Sequence, residues 1–279
     1  MAFLLGHHLL GLHSQLLYEP TPKRLRVLAG DRIVADTRRA VIVWEPKRVV
    51  PSYAVPAADL AAELRPVEAD PAARERPFHV GALKAPFLDP RTPFTAHTSE
   101  GESLTLVAGG IEYPGAGFRS ADPDLSGFVV LEFDAFTWLE DEDRVYAHPR
   151  DPFKRIDVRQ SAERVRIERD GQVLADSTRP KILYETYIVP RYYLPREDVR
   201  TELLKESETR TWCAYKGEAT YWSAELRSGT VRDLCWTIED PLSDGIEVRG
   251  LIAFYNERVD ISVDGVPQDR PVTPWSEEA

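Results

Sequence analysis

The chain has 279 residues, of which 43% are hydrophobic and 10% aromatic, and this composition is typical of a globular protein with room for two domains. Its net charge of -11 disfavours nucleic acids and anionic membranes as partners, because phosphate binding depends on basic patches. No apolar run approaches the roughly 20 residues of a membrane-spanning helix, and the two cysteines fit a reducing, cytoplasmic compartment.

Residues 1–15 are predicted to be an N-terminal extension. The segment is rich in apolar residues, but it has no basic n-region and no small-residue cleavage site. His7, His8 and His13 interrupt the apolar pattern. We therefore interpret it as a mature cytosolic terminus and not as a signal peptide.

The rest of the chain contains an internal repeat. The segments 24–45 and 164–185 have the same residue types at the same spacing, namely Arg, Val, Ala-Asp, Arg, Ile, and an aromatic residue followed by Glu. The repeat predicts two tandem domains, a degenerate first copy over 16–148 and a second copy over 149–279 that holds the candidate site. Residues that both copies share are expected to be needed for folding, whereas residues found in one copy alone are the better candidates for a functional site.

Both copies are predicted to be mainly β, each with one short helix. In the second copy, alternating apolar residues flank Asp170-Gly171, a dipeptide that favours a tight hairpin turn. The pattern at 196–205, proline followed by acidic residues and an apolar face, predicts the helix, and the first copy repeats this pattern from residue 56. Residues 65–94 are rich in Pro and Ala and are predicted to be an irregular insertion. The other predicted strands are 181–187, 211–215, 219–226, 233–238, 251–255 and 259–263, with first-copy strands at 104–108, 111–118 and 128–133.

The chemical contrast between the copies is concentrated in residues 95–106 and 211–222. Both segments contain the dipeptide Gly-Glu, but the residues that precede it differ, and one of them has the opposite charge in the second copy. Where the first copy has His97, Ser99 and Glu100, the second has Cys213, Tyr215 and Lys216.

Lys216 and Cys213 are the candidate catalytic residues. Among aromatic side chains, Lys216 could lose its proton and act as a base or an amine nucleophile, or stay charged and bind a carboxylate or phosphate. The structural alternative is a lysine that lies over an aromatic face and pairs with a glutamate. Cys213 could be a nucleophile if a cation lowers its pKa, or a small buried apolar residue. A disulfide with Cys235 would require neighbouring strands.

Six further residues are candidate ligand-binding residues. Arg179 and Glu185 have counterparts in the first copy, which suggests a structural ion pair or a pocket built from the common frame. Tyr192 and Trp236 could form the wall of a pocket together with Tyr215, although aromatic residues in strands usually belong to the core. Asp260 could be a carboxylate partner for Lys216.

The sequence gives no sign of a cofactor or a metal site. The second copy contains no histidine, so a histidine-based triad or a histidine-ligated metal is excluded there. Paired CxxC motifs, phosphate-binding loops and the usual hydrolase signatures are also missing from the sequence.

Three second-copy stretches, 191–199, 213–219 and 236–241, resemble a bacterial family of proteins with a domain of unknown function, number 427. The tandem arrangement is similar to that of its two-copy members. The resemblance covers nearly the whole chain from about residue 16, and it is closer in the second copy. Family members usually have proline where Ala214 stands. The resemblance implies two β-tent-like domains, a fold shared with methionine sulfoxide reductases, and it implies no reaction.

These observations favour a protein that binds a small polar or anionic molecule in an aromatic pocket of the second repeat. Catalysis by Lys216 or Cys213 stays open. The main alternative is an interaction or scaffold module without turnover, in which residues 65–94 would present a partner surface. Thiol redox chemistry and a nucleotidyltransferase activity are weaker alternatives, and the oligomeric state is open, with a homo-oligomer as one option.

Overall fold

The computed structural model describes residues 2–68, 70, 72–73, 75–79 and 86–276. Contacts within the chain divide it into two units, Met1–Asp151 and Pro152–Ala279. Both units are built mainly from β-strands, which confirms the predicted fold class. Within the described part of the chain, no helix combines the length and the apolar character that crossing a bilayer requires.

The first unit begins with one α-helix, α1 (Leu5–Leu12), and continues with strands. The strands are β1 (Leu17–Pro20), β2 (Leu25–Ala29), β3 (Arg32–Thr37), β4 (Val41–Trp44), β5 (Ser52–Pro56), β6 (Glu63–Pro66), β7 (Pro77–His79), β8 (Pro86–Leu88), β9 (Gly101–Ala108), β10 (Ile111–Ser120), β11 (Phe128–Leu131), β12 (Thr137–Glu140) and β13 (Asp143–Val145).

The second unit consists of strands joined by turns and short 3-10 segments. The strands are β14 (Ile156–Gln160), β15 (Val165–Arg169), β16 (Gln172–Ser177), β17 (Lys181–Glu185), β18 (Ile188–Leu194), β19 (Leu204–Cys213), β20 (Gly217–Leu226), β21 (Gly229–Thr237), β22 (Ile252–Phe254), β23 (Asp260–Val263) and β24 (Val266–Gln268).

The two units have the same sheet topology. The seven-stranded sheet of the first unit has the order β1-β4-β5-β11-β10-β9-β6, and that of the second has the order β14-β17-β18-β22-β21-β20-β19. The smaller sheets, β13-β12-β2-β3 and β24-β23-β15-β16, also correspond strand for strand. Neighbouring strands of the seven-stranded sheets pair antiparallel. The repeat in the sequence therefore corresponds to a repeat in the fold.

The hairpin predicted at Asp170-Gly171 is confirmed. Both residues have positive φ angles, 52° and 71°, and they connect β15 to β16 as a two-residue turn. This is the conformation that an Asp-Gly pair adopts at little cost, because glycine has no Cβ and aspartate tolerates the left-handed region. The first unit has its equivalent hairpin between β2 and β3.

The helix predicted over 196–205 is wrong in type and length. Two 3-10 segments, Arg196–Asp198 and Thr201–Leu203, occupy the first part of this range, and β19 begins at Leu204. The first unit has a single 3-10 turn, Ala57–Asp59, at the equivalent place. Proline followed by acidic residues also suits a tight 3-10 turn, and pairing of Leu204 with Ala224 of β20 extends the strand instead of the helix.

The residues of the insertion that the structure describes include two short paired strands. Strands β7 and β8 pair antiparallel, although residues 65–94 are predicted to be irregular. Positions 69, 71, 74 and 80–85 of this prediction lie outside the described residues.

Each seven-stranded sheet carries apolar residues on both faces. In the second unit, Leu194 and Cys235 pack with residues of the smaller sheet in one core. Tyr193 and Trp236, one position away in the same strands, belong to a separate cluster. Because neighbouring residues of a strand point to opposite faces, this second cluster lies on the other face of the sheet. The candidate site lies at the edge of that cluster.

Candidate functional site

The centre of the candidate site is a buried carboxylate bound by two lysines. Glu185 ends β17, and only 3% of its side chain is exposed. Lys154 places its ammonium 3.1 Å from one carboxylate oxygen, Oε1, and Lys216 donates a hydrogen bond to the other, Oε2. The lysine side chains are only 20% and 15% exposed, so both are largely buried.

Strand pairing explains how Lys154 reaches the carboxylate. Ile156 pairs with Glu185 across β14 and β17, and Lys154 lies two residues before Ile156. Residues two apart along an extended chain share a face, so the lysine is directed to the same side of the sheet as the glutamate. Lys154 was not predicted from the sequence, because it precedes the repeated segment and has no counterpart that would have marked it.

Lys216 lies in the tight turn between β19 and β20. Cys213 pairs with Gly217, which has a φ angle of 102° and so permits a turn that other residues would strain. A residue beyond the hairpin stabilises this turn, because the amide of Leu242 donates a hydrogen bond to the carbonyl of Lys216 at 3.0 Å. Gly245 lies so close that a Cβ there would be 3.0 Å from the same carbonyl oxygen. The backbone of Lys216 is therefore fixed by packing.

The charges of this cluster stabilise each other. Burial alone would raise the pKa of Glu185, but Lys216 and Lys154 outweigh burial and lower it. Burial alone would lower the pKa of Lys216, but its neighbours Cys213, Glu185 and Tyr193 outweigh burial and raise it. Lys216 is therefore a cation at neutral pH, and this protonation state suits a charged anchor and does not suit a general base or an amine nucleophile.

The two cysteines have different environments, and both are free thiols. Cys213 is half-buried at the end of β19 beside Lys216, whereas Cys235 is completely buried in β21. Strand β20 lies between β19 and β21, so the two cysteines are not on neighbouring strands, and the disulfide considered from the sequence does not form. Burial raises the pKa of the Cys235 thiol, which makes it chemically inert.

The aromatic residues divide between the site and the core. The ring of Tyr215 is buried and lies 5.5 Å from the ammonium of Lys154, a cation-π contact. Trp236 is 9% exposed and donates from its indole nitrogen to the hydroxyl of Tyr193 at 3.2 Å. Tyr192 is directed to the opposite face, where it packs against the main core. Of the neighbours Tyr192 and Tyr193, it is thus Tyr193 that lies on the face of the site.

Two predicted site residues lie elsewhere. Arg179 is exposed on the surface and pairs with Asp198, so the suggested ion pair with Glu185 does not form. Asp260 begins β23 of the smaller sheet and pairs with Arg270 at 2.7 Å. It is therefore not the partner of Lys216. Both residues belong to surface ion pairs, which contribute little to stability.

A second buried ion pair lies on the same face of the sheet. Arg191 of β18 donates two hydrogen bonds to Glu257, at 2.6 and 2.7 Å, and the two side chains are 7% and 0% exposed. The guanidinium lies 5.8 Å from the rings of Trp236 and Tyr255. This pair was not predicted from the sequence, although an arginine within the otherwise apolar strand β18 was a usable signal.

The first unit has a buried glutamate at the equivalent position, but with other partners. Glu45, which directly follows β4, has a 6% exposed side chain. It accepts hydrogen bonds from Nδ1 of His97 at 3.1 Å, from the amide of Thr98 at 3.1 Å and from the hydroxyl of Ser99 at 2.8 Å. Burial raises the pKa of Glu45, but His97, Ser99 and Arg48 outweigh burial and lower it. Both units thus have an ionised, buried carboxylate at this position, but the groups around it differ.

Comparison with known proteins gives a family but no activity. The chain matches the model of a family described as a domain of unknown function (DUF427) over residues 17–72 and 157–265. No curated protein matches the chain. The matched residues include Glu45 in the first unit and the candidate residues from Arg179 to Asp260 in the second. Because the matched stretches cover more than half of its length, the protein belongs to this family.

Proposed function

We propose that the second unit binds a small anionic molecule through the ammonium groups of Lys154 and Lys216. The observation that carries this proposal is that two lysines share one buried carboxylate, that of Glu185. Two positive charges then face one negative charge in a place with little solvent. Charge imbalance of this kind is costly unless an anion compensates it.

Hydrogen-bonding capacity supports the same conclusion. An ammonium has three N–H donors and no acceptor. Lys154 and Lys216 each contact one oxygen of Glu185, which leaves donors on both for a carboxylate or phosphate group. The ring of Tyr215 beside Lys154 and the half-buried thiol of Cys213 would border such a ligand. Converging polar groups next to aromatic side chains are typical of small-molecule sites.

The proposal concerns binding and includes no reaction. The raised pKa of Lys216 supports an electrostatic role for it. A lysine ammonium binds anions as a point charge, without the fixed two-pronged geometry of arginine, so the site would accept carboxylates as well as phosphates.

Isothermal titration calorimetry with inorganic phosphate and with succinate tests the proposal. We expect the wild type to bind at least one of them, and Lys216→Met and Lys154→Met to weaken binding at least about tenfold, since each removes a charged hydrogen-bond donor. Each variant keeps Glu185 paired with the other lysine, which favours folding. Lys181→Met is the matched control, because Lys181 pairs with the exposed Glu247. Absence of binding to the wild type, or equal weakening by all three variants, would refute the proposal.

A further inference from the structure

The first unit contains a cavity that the proposed function does not use. Its volume is about 580 Å³, within the range of small-molecule sites. It lies where β9 begins, between the loop that carries His97 and the ring of Phe118 in β10. The corresponding turn of the second unit carries Lys216, so the cavity is at the position where the two repeats differ most.

His97 gives this cavity an unused hydrogen-bonding atom. The side chain lines the cavity, is only 8% exposed, and stacks on Phe118 with ring centroids 3.8 Å apart. Its Nδ1 contacts the carboxylate of Glu45 at 3.1 Å, whereas its Nε2 has no hydrogen-bond partner among the residues that the structure describes. A buried polar atom without a partner is uncommon and needs an explanation, and a group bound in the cavity beside it would supply one.

The tautomer of His97 follows from its partner. Glu45 is ionised, since its pKa is lowered, and a carboxylate only accepts hydrogen bonds. Nδ1 must therefore carry a proton, and in the tautomer that holds only this proton Nε2 presents a lone pair. The hydroxyl of Ser99, which also lines the cavity, donates to Glu45 as well and so retains only acceptor capacity.

The charged side chains among the described residues that line the cavity are acidic. Glu100 lines it, is exposed, and makes no side-chain hydrogen bond or ion pair among the described residues. Asp70 and Glu75 add two more carboxylates, of which Glu75 is 3.3 Å from the ammonium of Lys47. No lysine or arginine is among the described residues that line the cavity. A ligand that enters it meets lone pairs and negative charge.

We propose that this cavity binds a small organic cation, a protonated amine whose N–H groups donate to Nε2 of His97 and to the carboxylate of Glu100. An ammonium offers three donors and no acceptor, and this is the complement of the acceptors found here. The ring of Phe118 beneath His97 closes the site on one side. The proposal is independent of the anion site, because it depends only on residues of the first unit.

Calorimetry with 1,4-diaminobutane at physiological salt tests this inference, with 1,4-butanediol as an uncharged ligand of the same length. We expect the diamine to bind and the diol not to bind. Glu100→Gln should weaken diamine binding at least about tenfold, because it removes a charged acceptor without changing size. Since Glu100 is exposed and has no ion pair among the described residues, this variant is expected to fold normally.

Two matched variants control for general electrostatics and for the other site. Glu112→Gln changes the net charge equally, but Glu112 pairs with Arg65 away from the cavity, and it should leave binding unchanged. Lys216→Met should also leave diamine binding unchanged. His97→Phe keeps an aromatic ring on Phe118 but removes the acceptor, and it should weaken binding. Equal affinity of Glu100→Gln and Glu112→Gln, equal binding of the diol, or no binding to the wild type would overturn the inference.

Discussion

Replacing Glu185 by glutamine is the sharpest test of how the charge cluster is balanced. Glutamine keeps the size of the side chain but removes the negative charge that Lys154 and Lys216 share. Removing one partner of a buried ion pair costs about 3–5 kcal/mol, because the remaining charge is buried without compensation. The lysines are 20% and 15% exposed, which places the expected loss near the lower end, at about 3 kcal/mol.

The first unit provides a matched control in Glu45→Gln. The hydrogen bonds that Glu45 accepts come from the neutral groups of Thr98 and Ser99 and from His97, and a glutamine oxygen can replace most of them. Arg48 keeps two other acceptors, the carbonyls of Pro93 and Ala96, each at 2.8 Å. Arg48 also loses a counter-charge, but its ion pair with Glu45 is long, at 3.7 Å, and only one cation is affected. We therefore expect a smaller loss than in Glu185→Gln, about 1–2 kcal/mol.

Native-state hydrogen exchange measures both losses separately, because it reports the opening of each unit from its own amides. Amides of β17 and β18 should exchange roughly a hundredfold faster in Glu185→Gln, while those of β4 and β5 stay unchanged. A loss in Glu185→Gln no greater than that in Glu45→Gln would refute the conclusion that Glu185 compensates two buried cations. Phosphate bound at the proposed anion site should restore part of the protection that Glu185→Gln loses.

Three other predictions follow from the same geometry. The pKa of Glu185 is lowered from 4.5, so the stability that its ionised form contributes is complete above pH 4.5 and is lost as the pH falls through the folded pKa. Hydrogen exchange of the second unit should show this loss of stability in acid in the wild type and not in Glu185→Gln. Replacing Arg191 by methionine should lower the free energy of unfolding by about 3–5 kcal/mol in urea titrations, because Glu257 then stays buried and unpaired, and a loss below 1 kcal/mol would contradict this. Alkylation of the native protein should modify Cys213 before Cys235, and equal rates would contradict the burial of Cys235.

Local sequence signals predicted the strands and turns well. Asp170-Gly171 is a turn because the two residues themselves tolerate positive φ angles, whatever surrounds them. The repeat predicted two units of like topology, since corresponding apolar positions favour the same sheets. The helix at 196–205 failed because its starting signals do not distinguish a 3-10 turn from an α-helix, and because the pairing of β19 with β20 lies outside the local sequence.

The sequence by itself also located the difference between the repeats, at Lys216 and Glu100. It could not identify the partners there, because Lys216 meets Glu185 across 31 residues and Lys154 lies in a segment that the repeat does not mark. It could not decide which of Tyr192 and Tyr193 borders the site, since either aromatic residue could face either side until strand pairing fixed the register. Charge and turn chemistry are properties of the residues themselves, whereas the choice of partner and the burial of a charge arise only when distant strands pack together.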